Sequence, residues 1–209
     1  MIGPMQRTDP VAAADAAFLL ERVDARCAAG EAHFAGCAAE VARCASAMAD
    51  RFFAGATLLV FGSGAGATDA QHNSVEYVHP VLPGCRALPA LSLTNDVSTV
   101  TGILGGADPD DVYAHQVRVL GRRGDIAVAF LGSPDDRAAS RGLEAAREAH
   151  MLTIVLSAGE PAASVADHSF HVAVDDPLIA QELHLATYHM LWELVHIVLN
   201  HRGIAEVSP

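Results

Sequence analysis

The chain has 209 residues, 51% of them hydrophobic, and a net charge of −12. That is enough apolar material for one domain with a sizeable core, while the acidic balance argues against a nucleic-acid partner, whose phosphates need a basic surface. No stretch reaches eighteen uncharged apolar residues, so no membrane span is expected, and Met1–Pro10 lacks the basic start and apolar run of a signal peptide.

A cytoplasmic protein is the expectation. The cysteines fit it: Cys27, Cys37, Cys44 and Cys85 have no CxxC spacing and read as free thiols rather than disulfides or a zinc knuckle.

Asp9-Pro10 pairs a capping residue with a proline suited to the first helical position. From Val11 to Ala54 the chain is alanine-rich with apolar residues at helical spacing: Phe18, Leu19 and Val23 on one face, Val41, Met48 and Phe52 on another. Two helices broken near Gly30 are expected, forming an N-terminal segment (residues 1–54) for self-association. The remainder (residues 55–209) reads as an α/β domain.

Thr57–Phe61 is a short apolar strand, ending in the turn Gly62-Ser63-Gly64-Ala65-Gly66 and followed by a helix through Glu76. A second strand spans Ala87–Leu93, with helices over Ser98–Leu104 and Asp110–Leu120. Asp125–Leu131 is a third strand, Arg137–His150 a helix and Leu152–Ser157 a fourth strand. His168–Val174 is a fifth, and a long helix runs from Pro177 to about His201. Continuous apolar strands alternating with helices predict a three-layer, doubly wound, five-stranded parallel sheet of flavodoxin-like type. Ligands in such folds bind at the carboxyl ends of the strands, here at Gly62–Gly66, Thr94–Asp96 and Leu131–Asp136.

The glycine turn is not a dinucleotide fingerprint. GxGxxG would need glycine where Ala67 stands, and the Walker lysine is absent. Backbone N–H groups at such a turn still suit an anion. On the helix that follows, His72 and Glu76 are four residues apart and share a face. A second cluster, Gln181-Glu182-Leu183-His184 with His189, lies on the last helix. These groups suit either a divalent metal or acid–base work on a sugar carbon. The plainer alternative for His72 and Glu76 is a surface ion pair worth a few tenths of a kcal/mol.

Gly62-Ser63-Gly64, Asp69-Ala70-Gln71-His72 and Glu76 resemble the first motif of the SIS (sugar isomerase) domain family, and within it the phosphoheptose (sedoheptulose 7-phosphate) isomerases. The similarity continues through Leu91–Ser98, Asp111–Val117, Gly124-Asp125, Ala145–Arg147 and Gln181–His184 with His189. The resemblance implies aldose–ketose isomerisation through an enediol, with Glu76 as general base and His189 as its acid–base partner. It implies zinc at His72, Glu76, Gln181 and His189, as in some family members. It also implies a homotetramer with sites between subunits. Substrate contacts would fall on Ser63, Gly64, Gly66, Asp69, Asp96, Ser133 and Asp136. Gln181 and His189, eight residues apart, are separated by roughly 12 Å along an ideal helix, so both reach one ion only if their side chains lean together.

The phosphate handle departs from the family pattern. Where phosphosugar members carry Ser-Thr-Ser-Gly-Asn-Ser, this chain reads Leu131-Gly132-Ser133-Pro134-Asp135-Asp136. Gly66 stands in for a phosphate-contacting serine, a family arginine is replaced near Pro80, and Gly105-Gly106-Ala107 replaces Gly-Asn-Asp. The expectation is an isomerase with an altered substrate, a sugar or sugar phosphate whose anionic group lies elsewhere or is absent. The alternative is a non-catalytic protein resembling the SIS branch that binds the bacterial replication initiator. That branch lacks the glutamate found here as Glu76, which favours the enzyme.

Overall fold

A computed structural model of the chain describes residues 10–106, 108–133, 135–159 and 166–202. The expectations for Asp9, Ala107 and Pro134 lie outside the described residues.

Two compact units divide the chain, Met1–Gly36 and Cys37–Pro209. The described part of the first is helical throughout, the leading portion of α1 (Pro10–Phe53). It exposes Phe18, Leu19, Leu20 and Val23. The break anticipated at Gly30 does not occur, and α1 is continuous. An interior glycine costs only about 1 kcal/mol relative to alanine. Ala28, Ala29, Glu31 and Ala32 surround it, and no proline interrupts the run.

The second unit holds five parallel strands: β1 (Leu58–Gly62), β2 (Ala90–Ser92), β3 (Ile126–Leu131), β4 (Leu152–Ala158) and β5 (His168–Val172), in the order β2-β1-β3-β4-β5. Register runs Leu58↔Ile126↔Leu152 across the centre. The helices are α2 (Ala65–Val78), α3 (Val97–Leu104), α4 (Val112–Leu120), α5 (Arg137–Glu148) and α6 (Pro177–His201). Two sequence boundaries shift. β2 is only three residues long, at the sheet edge, and the helix expected from Asp110 opens as a 3-10 turn over Pro109–Asp111. Asp108 caps that turn by accepting from Asp110 N–H, and Pro109 presets its first step.

The strict alternation of the strands sorts the helices into layers. Leu58, Val60, Ile126, Val128 and Phe130 point to one face, where they meet Val41, Met48 and Phe52 of α1, Tyr77 of α2 and Tyr188, Trp192 and Val195 of α6. Leu59, Phe61, Ala127, Ala129 and Leu131 point to the other, against Val112 and Val117 of α4 and Leu143 of α5. Each fully buried large apolar side chain contributes about 1.5–3 kcal/mol of transfer free energy. α2 and α6 thus lie on one face of the sheet, which lets two segments more than a hundred residues apart face each other.

Candidate active site

The turn that launches α2 is built on close backbone approach. A Cβ at Gly62 would meet the Phe130 carbonyl oxygen at 2.7 Å, and one at Gly66 would meet it at 2.9 Å. Gly64, the residue before α2, has φ of 57°, a left-handed conformation that glycine adopts without strain. The opposing helix starts at Asp176, whose carboxylate accepts from Leu178 N–H at 2.9 Å, with Pro177 at the first helical position.

From these starts, polar contacts run in step along α2 and α6. Gln181 Nε2 donates to Asp69 Oδ1 at 3.4 Å. His72 Nδ1 lies 2.6 Å from the Tyr188 hydroxyl. Trp192 Nε1 donates to the Glu76 carbonyl at 2.8 Å. That last bond has a sequence cause: the residue four beyond Glu76 is Pro80, which has no N–H to continue the helical ladder. The indole supplies the missing donor and ties down the last turn of α2.

Within this frame His72 Nε2 sits 3.1 Å from Glu76 Oε1. Ligand atoms of His72, Glu76 and His189 all lie within 4.8 Å of one another. The rings of His72 and His189 meet edge to face at 5.4 Å. Glu76 is buried and the His72 side chain is 38% exposed, so the cluster opens to solvent on the His72 side. His189 Nε2 is buried and has no hydrogen-bond partner among the described residues. Burial pushes the His189 imidazole below its ordinary pKa; Glu76 and Glu193 oppose the shift and His72 adds to it. A neutral imidazole with an uncommitted buried nitrogen, beside a second imidazole and a carboxylate, fits the donor set of a three-ligand metal site with an open position. Gln181, roughly 12 Å of helical rise from His189, is turned to Asp69 instead. Burial raises the Asp69 carboxyl above the usual carboxylate range, against the lowering effects of the Gln181 hydrogen bond and nearby His72.

The residues singled out as substrate contacts divide differently. Gly66, Asp69 and Gln181, with Phe130 and His184, line a small cavity of about 110 Å³. Asp96 lines a separate hollow of about 580 Å³ with Ser92, Thr99, His115 and Gln116. This larger hollow is not where the histidines meet; the donor geometry, not the volume, marks the reactive place. Asp96 is exposed and serves as the cap of α3, accepting from Ser98 and Thr99 N–H and from the Thr99 hydroxyl, which holds its carboxyl below the usual range. Asp136 caps α5 through Ala139 N–H at 3.0 Å and accepts from Ser63 Oγ at 3.3 Å. Ser133 is exposed, and its carbonyl accepts from Asp136 N–H at 3.1 Å. Asp135 is exposed.

The SIS domain family matches residues 29–158 of the sequence. The chain belongs to the SIS domain family. Among its SIS relatives, a phosphoheptose isomerase of Thermodesulfovibrio yellowstonii is 33% identical over 147 residues, 69% of this chain and 73% of the relative. One of Desulfovibrio desulfuricans is 36% identical over 157 residues, 74% of each. The structure of a phosphoheptose isomerase from Francisella tularensis superposes with a TM-score of 0.77 at 26% identity, covering 85% of this chain and 95% of that one. That from Neisseria gonorrhoeae gives 0.76 at 26% identity, covering 85% and 98%. The five-stranded parallel sheet flanked by helices is the SIS fold of these isomerases, and this SIS protein resembles them along most of its length.

Two side chains at the site had no role in the sequence reading, Tyr188 and Trp192. Both lie on α6 on either side of His189, at positions that read simply as core. The one sequence signal was Pro80, which leaves the Glu76 carbonyl in need of a donor.

Proposed function

We propose that the protein is an aldose–ketose isomerase of the sedoheptulose 7-phosphate isomerase type, acting on a substrate altered at its phosphate end. The observation that carries this is the convergence of His72, Glu76 and His189, with His189 Nε2 left unpartnered. Phosphoheptose isomerases among the relatives support an isomerase.

Isomerisation moves one proton between adjacent carbons and needs a base for the carbon-bound proton and an acid for the neighbouring oxygens. Glu76 is suited to act as the base, because its carboxylate is buried, its helix turn is fixed by Trp192, and His72 Nε2 lies 3.1 Å from one of its oxygens. His189 is suited to act as the acid, because a neutral imidazole near neutrality both gives and takes a proton. His72, Glu76 and His189 would hold a zinc ion, with Gln181 joining only after leaving Asp69. Zinc held there would supply Lewis-acid polarisation of a substrate carbonyl. His189 Nε2 either ligates or transfers a proton, so metal dependence distinguishes the two uses.

The altered substrate follows from Asp136. Its carboxylate takes up the Ala139 N–H in the first turn of α5 and the Ser63 hydroxyl, two donors that an anion at this edge would use. A phosphate there would meet a like charge, worth about 1 kcal/mol at 4 Å in water and several times more when desolvated. A sugar or polyhydroxy carbonyl compound without an anion at that end fits better. We further propose a cytoplasmic homotetramer, with residues 1–54 as the assembling segment. The exposed Phe18, Leu19, Leu20 and Val23 support that role, and no helix among the described residues is long and apolar enough to cross a membrane.

The test is an isomerase assay on sedoheptulose 7-phosphate and on unphosphorylated heptoses, with zinc and with chelator. Turnover abolished by Glu76→Gln supports the reading. Wild-type protein inert on every sugar while it captures a replication initiator, with Glu76→Ala unaffected, would replace it by the binding-protein alternative.

A further inference from the structure

The ladder between β1 and β2 stops early. Leu93 N–H donates to the Val60 carbonyl at 2.9 Å. Two residues further on, a parallel ladder would join Asn95 N–H to the Gly62 carbonyl. Asn95 N–H instead turns back to the Ser92 carbonyl at 3.3 Å. Gly62 is buried, and a buried carbonyl needs a donor. α4 supplies one: the Tyr113 hydroxyl donates to the Gly62 carbonyl at 2.5 Å. One turn on, Gln116 Nε2 does the same for the Leu93 carbonyl at 3.0 Å.

Tyr113 is itself held in place. It is buried, its ring stacks on Phe61 with centroids 5.4 Å apart, and a Cβ at Gly142 of α5 would come within 2.9 Å of the Tyr113 Cβ. Burial raises its phenol above the ordinary value, a hydrogen bond with Ser63 opposes the shift, and the Asp136 charge adds to it. The Gly62 carbonyl and the Ser63 N–H share one rigid peptide plane, so the phenol fixes the plane from which Ser63 departs. Ser63 Oγ then gives its proton to Asp136 at 3.3 Å, and the Ser63 carbonyl accepts from Gly66 N–H at 3.0 Å. A hydroxyl whose proton is committed still accepts. It suits a sugar hydroxyl, which can donate, better than a phosphate dianion, which only accepts.

We propose that Tyr113 is a positioning residue for substrate: by holding the Gly62 carbonyl it sets the turn Gly62–Gly66 and keeps the Ser63 hydroxyl on Asp136, as an acceptor for a sugar hydroxyl. The inference rests on the reading of the protein as a sugar isomerase that binds at this edge of the sheet.

The experiment compares wild-type protein with Tyr113→Phe, which keeps the stacked ring and removes the hydroxyl, and with Ser63→Ala. Amide exchange, read residue by residue, reports the turn; steady-state kinetics on an unphosphorylated heptulose report binding and turnover separately. In Tyr113→Phe the Gly66 and Ala67 amides should exchange about tenfold faster. KM should rise about five- to tenfold, with kcat kept within about twofold. Ser63→Ala should reproduce the rise in KM, and the double variant should be no worse than either single one. Unchanged exchange in Tyr113→Phe would overturn the proposal, as would a loss confined to kcat or KM effects that simply multiply in the double variant. An unchanged KM in Ser63→Ala would overturn it even if Tyr113→Phe did not fold. Wild-type protein inert on every sugar would sink the isomerase reading instead, and the exchange comparison alone would then decide whether Tyr113 sets the turn.

Discussion

Two stretches of the same sheet edge treat their polar atoms in opposite ways. Between α2 and α6, His189 Nε2 is buried and left without a partner, while Tyr188 and Trp192 hold the neighbouring groups still. At the start of α5, Asp136 turns its carboxylate onto Ala139 N–H and the Ser63 hydroxyl, so those two donors are answered from within the chain. An open, costly atom in one place and two donors held by a carboxylate in the other separate the capacity for chemistry from the capacity to grip an anion. A ligand gains from the first region and must compete with the protein in the second.

The comparison breaks most severely at Glu76. Glu76→Gln keeps the shape and removes the base, and turnover should fall by about 10²–10⁴-fold with the fold unchanged by circular dichroism. Undiminished turnover would move the reactive place elsewhere. Replacing His189 with alanine should next abolish zinc retention through dialysis, since it removes a buried nitrogen that has no hydrogen-bond partner among the described residues. Retention at the wild-type level would show that the open atom is not a ligand.

The anion region allows a gentler test. Asp136→Asn keeps a capping oxygen and deletes the charge. The KM for a phosphorylated sugar should fall by about fivefold, the equivalent of roughly 1 kcal/mol of relieved repulsion, with little change for the unphosphorylated one. Equal effects on both would mean that Asp136 acts through structure alone.

The smallest effects concern pH. The folded state lowers the His189 pKa below its ordinary 6.5, so the unfolded chain binds more protons just below that value. Stability from this group is present above pH 6.5 and falls as pH drops below it. Asp69 has the opposite sign. Burial raises it above 3.8, so its charged form destabilises the fold at neutral pH and is relieved on acidification. Asp69→Asn should therefore raise the melting temperature at pH 7 and lose that advantage toward pH 4. Denaturation of metal-free protein across pH 4–8 reads both slopes, and parallel curves for variant and wild type would remove the assignment.

Much of this was legible in the sequence, because strand alternation is a strong signal. Leu58–Phe61 and Ile126–Leu131 are apolar on both faces, which fixes a parallel sheet covered by helices, and the family motif fixes the order. His72, Glu76 and His189 could be named from spacing and resemblance, and the fold brings them together by placing α2 and α6 on one face. Three things were not legible. Gly30 reads as a breaker because its cost is visible and the helix formers beside it are individually weak signals. Tyr188 and Trp192 read as core because a phenol or indole shows its polar end only once the partner across the helix pair is known. Asp136 reads as a charge facing a ligand, whereas its carboxylate is engaged as a cap, a distinction of a few ångströms that residue type does not carry.

The most direct measurement of the central claim is kcat/KM for one heptulose with and without its terminal phosphate, on the same zinc-loaded preparation. The account predicts isomerisation of both, dependent on Glu76, with the unphosphorylated sugar preferred. A strong preference for the phosphorylated sugar would contradict it, because the donors that Asp136 holds would then be serving the substrate.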